Sequence, residues 1–190
     1  MARAKNIKPT LEQVVFATPE QKLLNLLLHE STTTFTLRTL SSKLKGVRGL
    51  GGAEGIHKIL EQMAELDLIL FKNNNRSVCL NNDSSAVQYL KRMAAICDLE
   101  NLRELLKDLS TRGVLFGSRA SGLSQSDSDY NLLVVSDETD EVTRIVSSHP
   151  IGKQISLLVR SAEEYRSLPS KEAELAEKIE KGIVLWGRTW

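Results

Sequence analysis

Two short apolar runs, residues 114–116 and 130–135, most constrain what this chain can fold into. Between them lie a stretch rich in glycine and serine, 117–122, and an acidic stretch, 127–129. Apolar runs this short, bounded by turn residues, read as strands, because a few residues cannot present a stable helical face. After them the pattern predicts a helix over 138–148 opened by acidic residues, a strand over 154–159 and a last strand over 183–186. Between those two strands, Ser161 and Glu164 have capping-box spacing and open a further helix. This half therefore predicts a small mixed sheet with helices packed on it.

The residues before it follow a different order. Pro19 begins an apolar helix over 19–29 with Thr18 placed to cap it. A β-favouring stretch over 32–36 precedes a short helix over 37–44, a glycine-rich turn over 45–52 and a helix over 53–66. In that helix Ile56, Ile59, Leu60, Met63 and Leu66 share one face at helical spacing. Two β-favouring runs, 68–72 and 76–80, flank Asn73, Asn74 and Asn75, residues that tolerate the left-handed backbone of a hairpin turn. Helix, strand, helix, turn, helix and hairpin in this order resemble a winged helix-turn-helix. Asp83 then caps a long helical region over 84–109, with a break expected near Asp98. The expected fold class is α+β: a winged-helix domain over 10–82, a helical connector over 83–98 and a second domain over 99–190.

Composition narrows the functional classes. The 190 residues are 41% hydrophobic and 26% charged, an ordinary globular balance that argues against disorder. No apolar run approaches the roughly 18 residues of a membrane span, and the first ten residues lack the apolar core of a secretory signal. A cytoplasmic protein with no membrane partner is expected. Cys79 and Cys97 show no metal-ligand spacing and are expected to be buried free thiols. The net charge is +1, with 11 basic against 7 acidic residues up to Asn82 and 14 against 17 beyond it. That imbalance permits, without requiring, contact between the front half and a polyanion.

Gly117 and Ser118, followed after ten residues by Asp129, Tyr130, Asn131 and the rest of an apolar strand, resemble the signature of the minimal nucleotidyltransferases of the polymerase-beta-like superfamily. That family carries Gly-Ser, ten residues and then Asp-x-Asp on a strand; the resemblance covers roughly the last 80 residues. It implies a small mixed-sheet nucleotidyltransferase-like domain. Gly117 and Ser118 would contact a nucleoside triphosphate, Arg119 a phosphate or a partner, and Asp129 a Mg²⁺ ion, with two metals sharing the work of transfer. Alternate residues of a strand face the same way, so Asp129 and position 131 would act together. Two of the expected carboxylates are replaced, however, by Asn131 on this strand and Ser156 on the next. Asp127 also forms Asp-x-Asp with Asp129, but it shifts the register by two and falls in the turn.

Other features have simpler readings. Gly46, Gly49, Gly51, Gly52 and Gly55 follow no strand and are read as a turn between helices, not a nucleotide cradle. His29, His57 and His149 are expected at helix ends or on the surface, and Trp186 and Trp190 in hydrophobic packing. Contact with double-stranded DNA would fall to Lys43, Lys45, Arg48, His57, Lys58, Lys72 and Arg76, although Glu54, Glu61 and Glu65 share the helix face with His57 and Lys58. The resulting expectation is a regulator-like protein whose second domain binds a nucleotide or partner with little or no catalysis. Two alternatives stand beside it: an active Mg²⁺-dependent enzyme transferring AMP to a protein hydroxyl, and an antitoxin-like protein that pairs with a protein partner.

Overall fold

The computed structural model describes residues 8–187 and is an α+β fold with two small sheets. The first sheet grows from local signals. Thr10 and Thr18 open α1 (Leu11–Val15) and α2 (Pro19–His29), each completing a capping box with a glutamine three residues on. β1 (Phe35–Thr36) leads into α3 (Leu37–Lys43), and a glycine turn leads into α4 (Gly52–Glu65). β2 (Ile69–Lys72) and β3 (Ser77–Leu80) form a hairpin whose Asn73, Asn74 and Asn75 all have positive φ, between 51° and 65°. This is the left-handed conformation in which asparagine costs least after glycine. The three antiparallel strands lie in the order β1-β3-β2. Their core joins Leu23, Leu27, Phe35, Leu40, Ile56, Leu60 and Ile69.

The helix α5 (Ser85–Leu106) runs unbroken for 22 residues. The break expected near Asp98 is absent, and the helix starts behind Ser84, not Asp83. Asp98 directs its carboxylate to side chains of other elements and so makes no cap for a new helix. The helix serves two cores: Val87 and Ala94 join the first, while Ala95, Leu99, Leu102 and Leu106 join a second. Of the described helices, none is long and apolar enough to cross a membrane.

That second core covers one face of a four-stranded sheet. β4 (Arg112–Phe116), the one-turn helix α6 (Ser118–Ser121), β5 (Tyr130–Val135), α7 (Thr139–Ser148), a 3₁₀ turn over Gly152–Gln154 and β6 (Ile155–Arg160) follow in order. After them come α8 (Ala162–Lys171), α9 (Ala173–Glu180) and β7 (Ile183–Trp186). The strand order is β6-β5-β4-β7; β5 and β6 are parallel, joined through α7, and the other pairs are antiparallel. Tyr130, Leu132 and Val134 face the layer of α5 and α7, while Leu133 and Val135 face Leu168 of α8 and Ile179 of α9. β5 is thus buried on both faces, which explains its nearly continuous apolar run.

Several details depart from the sequence reading. The helices α1 and α6 lie where no helix is expected. Both thiols are half-buried, not buried: Cys79 lies between the inward Val78 and Leu80 and faces outward. Trp186 packs as expected, its ring against Gly113 and its Nε1 donating to Ser110 Oγ at 2.9 Å, whereas Trp190 lies outside the described residues. Gly122 ends α6 at φ 80°, and a Cβ there would meet the Gln88 carbonyl of α5 at 2.2 Å. Gly122→Ala should therefore destabilise the fold by ~1–3 kcal/mol through overpacking and a left-handed alanine, measured by denaturant unfolding.

Candidate functional site

The residues singled out in the second half gather at the end of the sheet where β4 finishes and β5 and β6 begin. Asn131 pairs in register with Phe116 of β4 and with Ser156 of β6. Parallel neighbours in register point the same way, so Asn131 and Ser156 sit side by side on the face that carries Leu133 and Leu158. Gly117 closes the row. It has φ 74°, and a Cβ on it would lie 2.7 Å from Asn131 Nδ2, so the bare Cα is what lets the turn approach the strand. Asp129 is exposed and lies one residue short of β5, not on the strand as expected. Among the described residues Ser118, Asp129, Asn131 and Ser156 make no side-chain hydrogen bond or ion pair; Asp129 and Ser156 are exposed, and Ser118 and Asn131 are half-buried.

Arg119 is not available. Its side chain is buried, its Nε and Nη2 donate to the Ser128 carbonyl at 2.9 and 2.7 Å, and its guanidinium lies 3.9 Å from the centroid of the Tyr130 ring. The phosphate contact expected of it gives way to a structural role, holding the turn that leads into Asp129. Lys91, missed in the sequence because it sits in a helix of mixed polarity, does the same at the other end of the turn. Its buried Nζ donates to Ser124 O at 2.7 Å and to Asn82 Oδ1 at 2.6 Å. Burial, and secondarily the charge of Arg119, lower the Lys91 pKa. The front half grips this turn too: Thr32 N donates to Ser126 Oγ at 3.2 Å.

Beneath the turn lies a chain of three side chains. Tyr130 Oη donates to Asp98 Oδ2 at 2.5 Å, and His29 Nε2 stands 3.0 Å from each Asp98 oxygen. Burial, then the Asp98 charge, raise the Tyr130 pKa, while the Asp98 hydrogen bond raises that of His29. Beside it, burial and then Asp98 push the Cys97 thiol up to about 11, so it stays protonated at neutral pH. His29 does end a helix, as expected, and His149 sits at the end of α7. Nothing in the local sequence marks His29 and Asp98 as partners, since they lie 69 positions apart.

The side chains expected to meet DNA divide into two groups. Lys43 pairs with Glu30 at 2.5 Å, Lys58 with Glu54 at 3.5 Å and His57 with Glu61 at 3.4 Å, and the His57 ring also stacks on Phe71 of β2. Lys45, Arg48, Lys72 and Arg76 are exposed and form no ion pair among the described residues, which leaves their charges unneutralised.

Among the described residues no group of three His, Cys, Asp or Glu side chains is placed to hold a metal ion. One carboxylate, Asp129, beside the amide of Asn131 and the hydroxyl of Ser156, does not fit a two-Mg²⁺ centre, whose cations need several anionic oxygens. A cavity of about 510 Å³ lies elsewhere, between α1 and α2, lined by Phe16, Asn25, His29 and Val47 among others. Another of about 300 Å³ lies at the opposite end of the sheet, beside Asp108, Ser136, Asp137 and Glu138.

Arg119→Met, which keeps an unbranched apolar stem and removes the guanidinium donors, should cost ~1.5–3 kcal/mol of stability in denaturant unfolding and speed amide exchange in the turn before Asp129. An unchanged exchange rate would show that the guanidinium does not hold the turn.

No family model matches the chain, and no curated protein or solved structure matches it.

Proposed function

We propose that this is a regulator-like protein whose second half is a nucleotidyltransferase-like domain that binds the phosphates of a nucleotide without transferring it. The observation that carries this reading is the row of Gly117, Asn131 and Ser156, with Ser118 and Asp129 beside it. Carboxylates only accept hydrogen bonds and meet a phosphate through a metal ion, whereas an amide and two hydroxyls can donate to phosphate oxygens directly. Replacing two carboxylates by Asn131 and Ser156 thus removes the metal-holding chemistry and leaves donors in its place. Asp129 remains as a single anion at the rim. Transfer would need cations to activate the acceptor and stabilise the leaving pyrophosphate, and this donor set does not hold them.

For the first half the proposal is a winged-helix type of contact with double-stranded DNA. Its support is the four unneutralised cations on the α3–α4 turn and on the β2–β3 hairpin, Lys45, Arg48, Lys72 and Arg76. The carboxylate pairing of Lys43, His57 and Lys58 argues for modest affinity set by phosphate contacts.

Calorimetric titration with a nucleoside triphosphate should give the same affinity with Mg²⁺ and with chelator, and labelled nucleotide should not enter protein or nucleic acid acceptors. Asn131→Asp together with Ser156→Asp should make binding Mg²⁺-dependent. Robust wild-type transfer abolished by Asp129→Ala would reverse the reading in favour of an enzyme. DNA retention should fall steeply with salt and weaken in Arg48→Ala and Arg76→Ala; no retention even at low salt would make the first half a protein-contact module.

A further inference from the structure

His29, the last residue of α2, places both ring nitrogens against acceptors. Nδ1 lies 2.8 Å from the Asn25 carbonyl oxygen and Nε2 lies 3.0 Å from both oxygens of Asp98. A neutral imidazole carries one N–H and one lone pair, so it satisfies one of these contacts and turns a lone pair on the other. The imidazolium donates to both. Asp98 also accepts the Tyr130 hydroxyl, so one carboxylate of α5 holds a residue of the first core's helical layer and a residue of the second sheet.

We propose that His29 is a pH-sensitive clamp: charged, it fastens α2 to Asp98 and through it to Tyr130, and on losing its proton it gives up the ion pair and one of its two donors, which loosens the junction between the two cores. Several charged groups surround this histidine. Arg119, over the Tyr130 ring, opposes the cation, while Glu12 of α1 holds the Asn25 side chain at 3.1 Å and Glu30, which follows His29, is paired with Lys43. Lys22 lines the cavity that His29 borders. Asp98 is the group in direct contact, and its hydrogen bond raises the His29 pKa against the opposing effect of burial. A histidine whose folded pKa is raised contributes its full stabilisation below the unfolded value, about 6.5, and loses it as pH rises through the folded value. The clamp therefore loosens on the alkaline side.

Release reaches the candidate site through the next residues. Ser31 Oγ and Thr32 N, two and three positions after His29, hold the turn at Ser124 O and Ser126 Oγ, and that turn leads into Asp129. Opening the clamp loosens this seam first.

The test is an NMR titration of the full chain that follows the His29 ring and hydrogen exchange at the Thr32 amide, with His149, whose pKa burial lowers, as internal reference. The His29 midpoint should lie above about 6.5, and Thr32 exchange, corrected for its intrinsic pH dependence, should accelerate about tenfold across that midpoint. In Asp98→Asn the midpoint should drop to the ordinary value or below, and the exchange step should vanish. A wild-type midpoint at or below the ordinary value, or flat Thr32 exchange across it, would overturn the proposal. The wild-type titration is decisive even if Asp98→Asn fails to fold.

Discussion

One continuous helix belongs to both cores of this protein, and the rest of the arrangement depends on it. Units joined by a flexible linker move relative to each other by default. Here the rigid spine of α5 buries Val87 and Ala94 in the first core and Ala95, Leu99, Leu102 and Leu106 in the second. A bend at its centre would separate the two sets and expose both. The polar residues of the same helix are placed by that rigidity: Lys91 reaches the turn before β5, and Asp98 reaches His29 on one side and Tyr130 on the other.

The turn between α6 and β5 is held by an unusual means. Two buried cations, Lys91 and Arg119, donate to backbone carbonyls with no carboxylate bonded to either among the described residues. Burying a charge without an anion is costly, and such groups persist when their hydrogen bonds are met. Both are met: Lys91 by Asn82 and Ser124, Arg119 by Ser128 and the face of the Tyr130 ring. The result is a rigid approach to Asp129 that needs no helix or strand of its own. Breaking a buried charged contact leaves the remaining group unsatisfied, so the turn resists piecemeal loosening.

Charge and donor type shape the function proposed here more than shape does. The sheet end offers a glycine turn, hydroxyls and an amide, with one carboxylate, on an open surface. Such a surface suits recognition of an anion better than the containment of two dications. In the first half Lys58 of α4 pairs with Glu54 and His57 lies against Glu61, each glutamate one helical turn away, which leaves any polyanion contact to loop and hairpin cations.

By itself the sequence determined most of the elements and their local geometry, though not the short α1 and α6 or the continuity of α5. Thr18, Ser161 and Pro19 mark helix starts, Asn73–Asn75 mark the hairpin, and the apolar runs mark strands within a residue or two, because caps, turns and periodicity act over a few neighbouring residues. The spacing from Gly117 to Asn131 was legible too, and the fold brings those two residues together. Only the tertiary structure decided that α5 passes straight through Asp98, that Arg119 turns inward, and that His29, Asp98 and Tyr130 form one chain. Those partners lie 69 and 32 positions apart. Whether a polar side chain faces solvent or a distant partner depends on which elements pack against it, and no local pattern carries that information.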